Sequence, residues 1–420
     1  MNPHSSPHVL PDEPAVPPAL LAAVEADYDR FARQGPISSL AEHLLDRYEL
    51  DLRTEYAGVP LANPWGKASG QLSMTSRQVQ DDIDAGLGFV VLKTVIAQDQ
   101  AGDRSMRAWA VKESRMDAER IAGRSGETGW TISWKGRGWW QSFDEYLDLV
   151  RASQQMAAGT QTLIVPSCKY HLPTPDEGRW RTEEYEHTTR RLLDAWRGGG
   201  DADARMPLEK DFSPTLAGSD LARVREQILE WLRTVPRLVR AAAGREATLG
   251  MKLFNALFDD EFQLDMLRTI HAEGDSRPDF FIYGNRLFDP EREFDGHRGI
   301  AYGGPDLSDR NLRVMGRFQQ ELDMPGFSPL PWSATGNICS GKMALEYALR
   351  GASSFQLHTF FQLPAGQYRM KSGSKTQKAL HELHFHPRTG LIVWMHHLAA
   401  VLDPPRPPIR LRDVIGHGPL

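Results

Sequence analysis

Apolar residues three and four apart run through PALLAAVEADYDRFAR (18–33) and SSLAEHLLDRYEL (38–50), the spacing of one buried helical face, with Ser39 placed to cap the second. These helices predict an N-terminal appendage over 18–50. From residue 51 the pattern changes, and short apolar, β-branched runs alternate with longer stretches of helical period. A hairpin is predicted in DLRTEYAGVPLAN, turning at Ala57-Gly58. Strands are then predicted at 65–69, 88–94, 162–167, 204–211, 248–254, 279–284, 330–335 and 353–358. Helices fall between them at 75–85, 142–157, 181–196, 219–242, 260–273, 306–321 and 340–350, with a last helical region at 374–401. Eight strand–helix alternations without an internal repeat fit an α/β fold of the (β/α)8 TIM barrel type, over 51–402, better than an open doubly wound sheet. Long insertions at 97–140 and 285–305 follow strands, the side on which such barrels keep their active sites. Both ends are Pro-rich. Residues 1–17 are expected to be a flexible tail and 403–420 a second tail, each lying on or off the body and neither carrying chemistry.

Composition narrows the function. The 420 residues carry 49 basic and 55 acidic side chains, net −6, so no global basic field favours nucleic acid and no local basic patch stands out. Cys168 and Cys339 lie far apart with no CxxC spacing, which suits a reducing, cytoplasmic setting and excludes an iron–sulfur cluster built within this chain. No secretory leader pattern opens the sequence, and no run approaches the ~20 apolar residues of a membrane helix. HELHFH (381–386) is not HExxH, and the adjacent His396 and His397 point apart on a helix, so no metal is expected. No GxGxxG or P-loop follows a strand, so a separate nicotinamide domain is not expected either.

Candidate chemistry gathers at the strand ends. Lys93 closes the apolar run FVVLK and Lys252 closes LGMK, placements that are costly for a lysine unless an anion or polar ligand meets it. Ala68, Ser69 and Gly70 end the first barrel strand, where bare backbone can approach a flat ring, although an ordinary tight turn would look the same. Backbone N–H groups after strands seven and eight, in such barrels, can cradle a phosphate.

The runs GVPLANPWGKASG (58–70), GLGFVVLKT (86–94), MKLF (251–254) and TGNICSG through ALRGASSFQLHT (335–359) together resemble the flavin-binding barrel of the dihydroorotate dehydrogenase family, including the related domain of dihydropyrimidine dehydrogenase. The resemblance covers about residues 51–360. It implies an FMN cofactor held by Ala68, Ser69, Gly70, Lys93, Thr94, Lys252, Gly303, Gly304, Gly336, Asn337, His358 and Thr359. The lysine matching Lys93 also touches substrate, and the one matching Lys252 stabilises negative charge on the reduced ring. Gly336-Asn337-Ile338 occupies the family's Gly-Gly-Ile turn and His358-Thr359 its Gly-Thr; Asn337 tolerates a left-handed backbone, whereas His358 has no such excuse.

The same resemblance makes Ser213, in LEKDFSPT, the catalytic base beside Pro214, with Cys168 a rival by residue type alone. Of the asparagines that bind orotate in the family only Asn285 aligns; Lys210 stands at one such position and Thr215 at another. The usual Gly-Leu-Pro-Asn run is replaced by WTISWKGRGWW (130–140), whose Trp130, Trp134, Trp139, Trp140, Lys135 and Arg137 either bind a larger, partly apolar or anionic substrate or pack the insertion. Substrate binding is thus assigned to Lys93, Lys210 and Asn285. The expected function is an FMN-dependent oxidoreductase moving hydride between FMN and a carbonyl-activated CH–CH or C=C bond. Its expected partners are a small-molecule substrate, an unidentified electron acceptor or donor and, by family analogy, a second copy of the chain. Three alternatives stay open: an authentic dihydroorotate dehydrogenase of pyrimidine biosynthesis, a flavin-free Schiff-base lyase using Lys252, and a non-catalytic relative binding through the tryptophan loop.

Overall fold

The computed structural model of this chain describes residues 7–418 except 114, 175, 201–202, 213–220, 273, 276, 323–327 and 403–406, and of 221–223 only the backbone. Eight parallel strands form the barrel: β1 (Trp65–Lys67), β2 (Phe89–Val91, resuming at Val95–Ile96), β3 (Leu163–Val165, resuming at Ser167–Lys169) and β4 (Met206–Asp211), followed by β5 (Ala247–Phe254), β6 (Phe280–Asn285), β7 (Trp332–Thr335) and β8 (Ser354–Leu357). The ring closes on both sides of a break in β3. Before it Ile164 pairs with Val90 of β2, and after it Cys168 pairs with both Val95 and Lys210, while Leu357 of β8 pairs with Lys67 of β1. Pro166, which has no N–H to give a neighbour, makes the break, and its carbonyl accepts from Glu209 N at 3.0 Å.

Side chains fill the barrel interior in a way that needs two glycines. A Cβ on Gly66 would lie 2.1 Å from the Phe89 ring and one on Gly250 would lie 2.2 Å from Phe280, so each bare position admits a phenyl group. The predicted hairpin forms at Thr54–Tyr56 and Val59–Leu61 and plugs the N-terminal mouth, burying Tyr56 and Leu61 against Phe89, Val91, Val165, Phe280 and Ile282.

The helices α1 (Pro18–Gln34), α2 (Leu40–Tyr48), α3 (Ser76–Asp84), α4 (Phe143–Ala157), α5 (Thr182–Gly198), α6 (Leu221–Ala243), α7 (Asp260–His271), α8 (Pro305–Leu322) and α9 (Gly341–Ala348) follow the predicted order. The last predicted helix is two, α10 (Lys375–Phe385) and α11 (Leu391–Val401), because Pro387 and Gly390 interrupt it. Capping boxes fix three starts, at Thr75, Ser142 and Ser374.

Neither end is a free tail over its described residues. The N–H groups of Val9 and Leu10 donate to Glu346 at 2.9 to 3.1 Å, Arg350 reaches Pro7 O at 2.5 Å, and Leu10 is buried. At the other end Ile409–Arg410 pairs in parallel with Leu50–Asp51, and Leu411 is fully buried. These contacts correct the expectation of a flexible tail for the described part of 1–17, and they set the described part of 403–420 on the body. The two insertions carry antiparallel hairpins that sequence periodicity did not show, Arg115–Ala122 with Thr128–Lys135 and Leu287–Phe294 with His297–Tyr302. Among the described residues no helix is long and apolar enough to cross a membrane.

Candidate active site

The C-terminal strand ends open into a cavity of about 540 Å³ roofed by the two insertion hairpins. The structure brings together on its walls Ala68, Ser69 and Gly70 from β1, Lys93 and Thr94 from β2, Lys252 from β5 and Asn285 from β6. Gly303, Gly304, Gly336, Asn337, His358 and Thr359 complete the set. Ser213 lies outside the described residues. Lys210 does not reach the cavity, and strand parity is the reason. Side chains alternate across β4, so Glu209 and Asp211 face the barrel axis and Lys210 faces the surrounding layer. There its ammonium donates to Asp211 O at 2.8 Å and sits 4.3 Å from the centre of the Phe212 ring, while burial and nearby Lys169 lower its pKa to about 7. The substrate-binding assignment of Lys210 is therefore corrected. Cys168, its register partner on β3, is likewise off the cavity, with burial holding its thiol well above the ordinary range.

Electrostatics give each lysine a partner. Lys93 Nζ lies 2.5 Å from Glu113 Oε1; burial lowers the lysine's pKa and the Glu113 carboxylate works against that. Lys252 donates to Gln356 Oε1 at 3.1 Å and lies 3.9 Å from Glu209, a fully buried carboxylate that also accepts from Tyr56 and Gln356. Burial raises the Glu209 pKa and Lys252 opposes the rise. A hydroxyl chain crosses three strand ends, Ser69 to Thr94 at 2.8 Å and Thr94 to Ser167 at 3.0 Å.

Three charged cavity residues and one tryptophan had no place in the sequence reading. Lys169 ends β3 and pairs with Asp211 of β4 at 3.2 Å, and Trp109 takes the Lys169 ammonium 4.2 Å from its ring centre and the Arg137 guanidinium 4.6 Å from it. Lys169 and Asp211 stand at strand ends as Lys93 and Lys252 do, so the same search along strand tips finds them. Arg286 carries no such signal. Its Nη2 donates to Ile132 O at 2.6 Å and Ala301 O at 2.7 Å, its guanidinium lies 4.3 Å from the Trp134 ring centre, and burial lowers its pKa to about 9.

The tryptophan loop divides between both readings given above. Trp130 and Trp134 line the cavity; Trp139 is core, donating to Ser142 O at 2.8 Å, and Trp140 is on the surface beside Lys112. Lys135 pairs with Asp295 at 2.8 Å and joins the two hairpins. The HELHFH histidines serve the packing: His381 meets Tyr28 O at 2.9 Å, and His384 accepts from Trp65.

The walls suit a flat anion. Lys93, Lys169, Lys252, Arg137 and Arg286 face one carboxylate, Asp211, along the lining. A Cβ built on Gly303 meets nothing closer than 3.9 Å, so bare backbone faces the space, and Gly304, Gly336 and Asn337 turn through φ of 94°, 108° and 52° beside it. The residues present therefore fit FMN: the glycine-rich turns would hold its tail, and Lys252 with Gln356 would supply polar partners for the ring. His358 crowds the turn after β1: its imidazole lies against Gly70, where a Cβ would come within 2.3 Å of Nε2.

No family profile and no curated protein matches this chain. Among solved structures, the dihydroorotate dehydrogenase (DHODH) of Eimeria tenella, crystallised with ferulenol, superposes over 97% of this chain and 97% of its own, with a TM-score of 0.58 and 15% sequence identity. The chain thus has a DHODH-like TIM-barrel fold.

Proposed function

We propose that this protein is an FMN-dependent oxidoreductase acting on a carbonyl-activated CH–CH or C=C bond of a small anionic substrate. The observation that carries the reading is the meeting of Lys93 and Lys252, from non-neighbouring strands, with a glycine-lined rim in one cavity of a DHODH-like barrel. When bound, the flavin takes or gives the hydride. Lys93 orients the anionic group of the substrate. Lys252, held by Gln356 and Glu209, keeps positive charge at the ring edge. The hairpin roof limits water. Ser213 is the proposed proton-transferring group; Phe212, just before it, donates its N–H to Lys252 O at 3.2 Å, so the chain enters that segment at the β4–β5 rim.

Trp130, Trp134 and Arg137, from the loop that replaces the family's Gly-Leu-Pro-Asn run, line the cavity and favour a substrate other than dihydroorotate, since a site built of directed hydrogen bonds rejects ligands that leave its groups unpaired. The rest of the reading is a cytoplasmic homodimer exchanging electrons with a soluble partner. The test is the visible spectrum of freshly purified protein with quantitation of released pigment. The expected result is an oxidised-flavin spectrum and about one FMN per chain, bleached anaerobically by a carbonyl-activated substrate. Bleaching by dihydroorotate would identify an authentic dihydroorotate dehydrogenase. A colourless chain that takes up no added FMN would overturn the proposal and leave the Schiff-base and binding-protein alternatives.

A further inference from the structure

The cations of the cavity wall differ in their partners. Lys93, Lys169 and Lys252 each lie within reach of a carboxylate, Glu113, Asp211 or Glu209. Arg286, among the described residues, forms no ion pair with any carboxylate, its Nη2 satisfied by two carbonyls and its Nε sealed from solvent without a hydrogen-bond partner. A guanidinium walled in by Trp134 and stripped of water is a costly thing to bury without an anion.

Its surroundings say which anion. Thr131 Oγ1 lies 3.4 Å from Arg286 Nη2 and accepts the Gly303 N–H at 3.0 Å, which ties the arginine to the glycine turn that starts α8. Asn337 in turn is fixed to the first turn of α8 through Ser308 Oγ at 2.9 Å, so the turns after β6 and β7 converge on the start of α8, the element that Thr131 links to the guanidinium. Asp306, the acid of that first turn, is drawn aside by the N–H of Arg124 at 2.7 Å. Glycine turns, a helix start and a guanidinium charge together suit a phosphate monoester.

We infer that Arg286 is a side-chain clamp for the phosphate of the bound flavin nucleotide, making the chain selective for FMN over riboflavin. The inference rests on the flavin reading above.

The experiment is equilibrium titration of FMN and of riboflavin, which share one ring system, into the full-length protein freed of any flavin it carries. Wild type should bind FMN at least about 10- to 100-fold more tightly than riboflavin, as charge-assisted hydrogen bonds to a phosphate provide. Arg286→Leu should remove that preference and leave riboflavin affinity unchanged, which also shows that the pocket is intact; Arg286→Lys should restore part of it. An undiminished FMN preference in Arg286→Leu would overturn the clamp and leave the flavin reading standing. Equal loss of both flavins in both variants would make Arg286 a support of the ring pocket and also overturn it. Failure of wild type to bind either flavin would instead remove the flavin reading itself.

Discussion

Lys93 Nζ and Glu113 Oε1 meet at 2.5 Å, joining the end of a barrel strand to a strap of the first insertion, residues 104–113, whose Trp109 lines the cavity. The second oxygen of Glu113 is buried without a partner, so the carboxylate is held there by one contact. An anionic ligand seeking Lys93 must share it with Glu113 or displace it. Glu113→Gln should therefore bind a simple aromatic carboxylate such as benzoate about 5- to 10-fold more tightly, the worth of removing one nearby like charge. Quenching of tryptophan fluorescence measures it. Unchanged or weaker binding would show that Glu113 positions Lys93 and does not compete for it.

The strap depends on Gly136. Its φ is +134°, and a Cβ there would fall 2.8 Å from Glu113 Cα, on backbone that has little room to give. Hydrogen bonds from Arg137 N to Val111 O at 3.0 Å and from Gly138 N to Trp109 O at 2.7 Å hold the two segments together. Gly136→Ala should cost about 1–3 kcal/mol and open the strap to proteolysis between residues 104 and 113 while the barrel stays folded. A variant as resistant to cleavage as wild type would contradict this.

Acid should weaken the fold through two neutral histidines. His384 Nε2 accepts from Trp65 Nε1 at 2.9 Å while its Nδ1–H donates to Leu380 O at 2.7 Å, so a second proton would be driven against an indole N–H. His271 is held the same way, between Leu330 N and Leu267 O. Burial lowers each pKa from 6.5 to about 4. The unfolded chain binds the extra proton first as pH falls, so stability is complete above about 6.5 and declines by about 1.4 kcal/mol per group per pH unit down to about 4. Thermal melts at pH 7 and pH 5 should differ accordingly, and less so in His384→Gln.

Base should loosen the N-terminus. Burial disfavours the charged form of His8, but Asp309 and Glu346 outweigh it and raise the pKa from 6.5 to about 9. A raised histidine pKa contributes stability that is full below about 6.5 and is lost as pH climbs through 9. Melting temperature should fall between pH 7 and pH 9.5 in wild type and not in His8→Ala; a parallel fall in both would refute the latch.

Glu209 should be the most sensitive carboxylate of the barrel floor. Replacing it by Ala would leave Lys252 without its buried counter-charge and Tyr56 and Gln356 without an acceptor, at a cost of about 3–5 kcal/mol in urea unfolding. Tyr56→Phe, which removes one donor and keeps the ring, should cost about 1–2 kcal/mol.

Strand tips were readable because burying a lysine at the end of an apolar run is a departure from ordinary composition, and Lys93 and Lys252 each make one. Lys210 was misread for a different reason: the resemblance set it at a position where the family has an asparagine, but parity along β4 sends it outward, and parity follows from strand register rather than from residue type. Arg286 and Trp109 sit on insertions whose path is fixed by long-range pairing, such as the strap against Gly138, and no local periodicity encodes that. The docked ends were hidden likewise, because Leu10 and Leu411 find their burial sites on elements hundreds of residues away.

The hairpin beneath the barrel has a kinetic consequence. With Tyr56 hydrogen-bonded to Glu209 and packed on Phe89, 4.4 Å between ring centres, the floor is stoppered, and among the described residues the cavity lies at the roofed end. The reductant and the oxidant of the proposed reaction are expected to take the same place there in succession. Steady-state velocities test this: parallel double-reciprocal lines are expected, and intersecting lines would show two separate approaches.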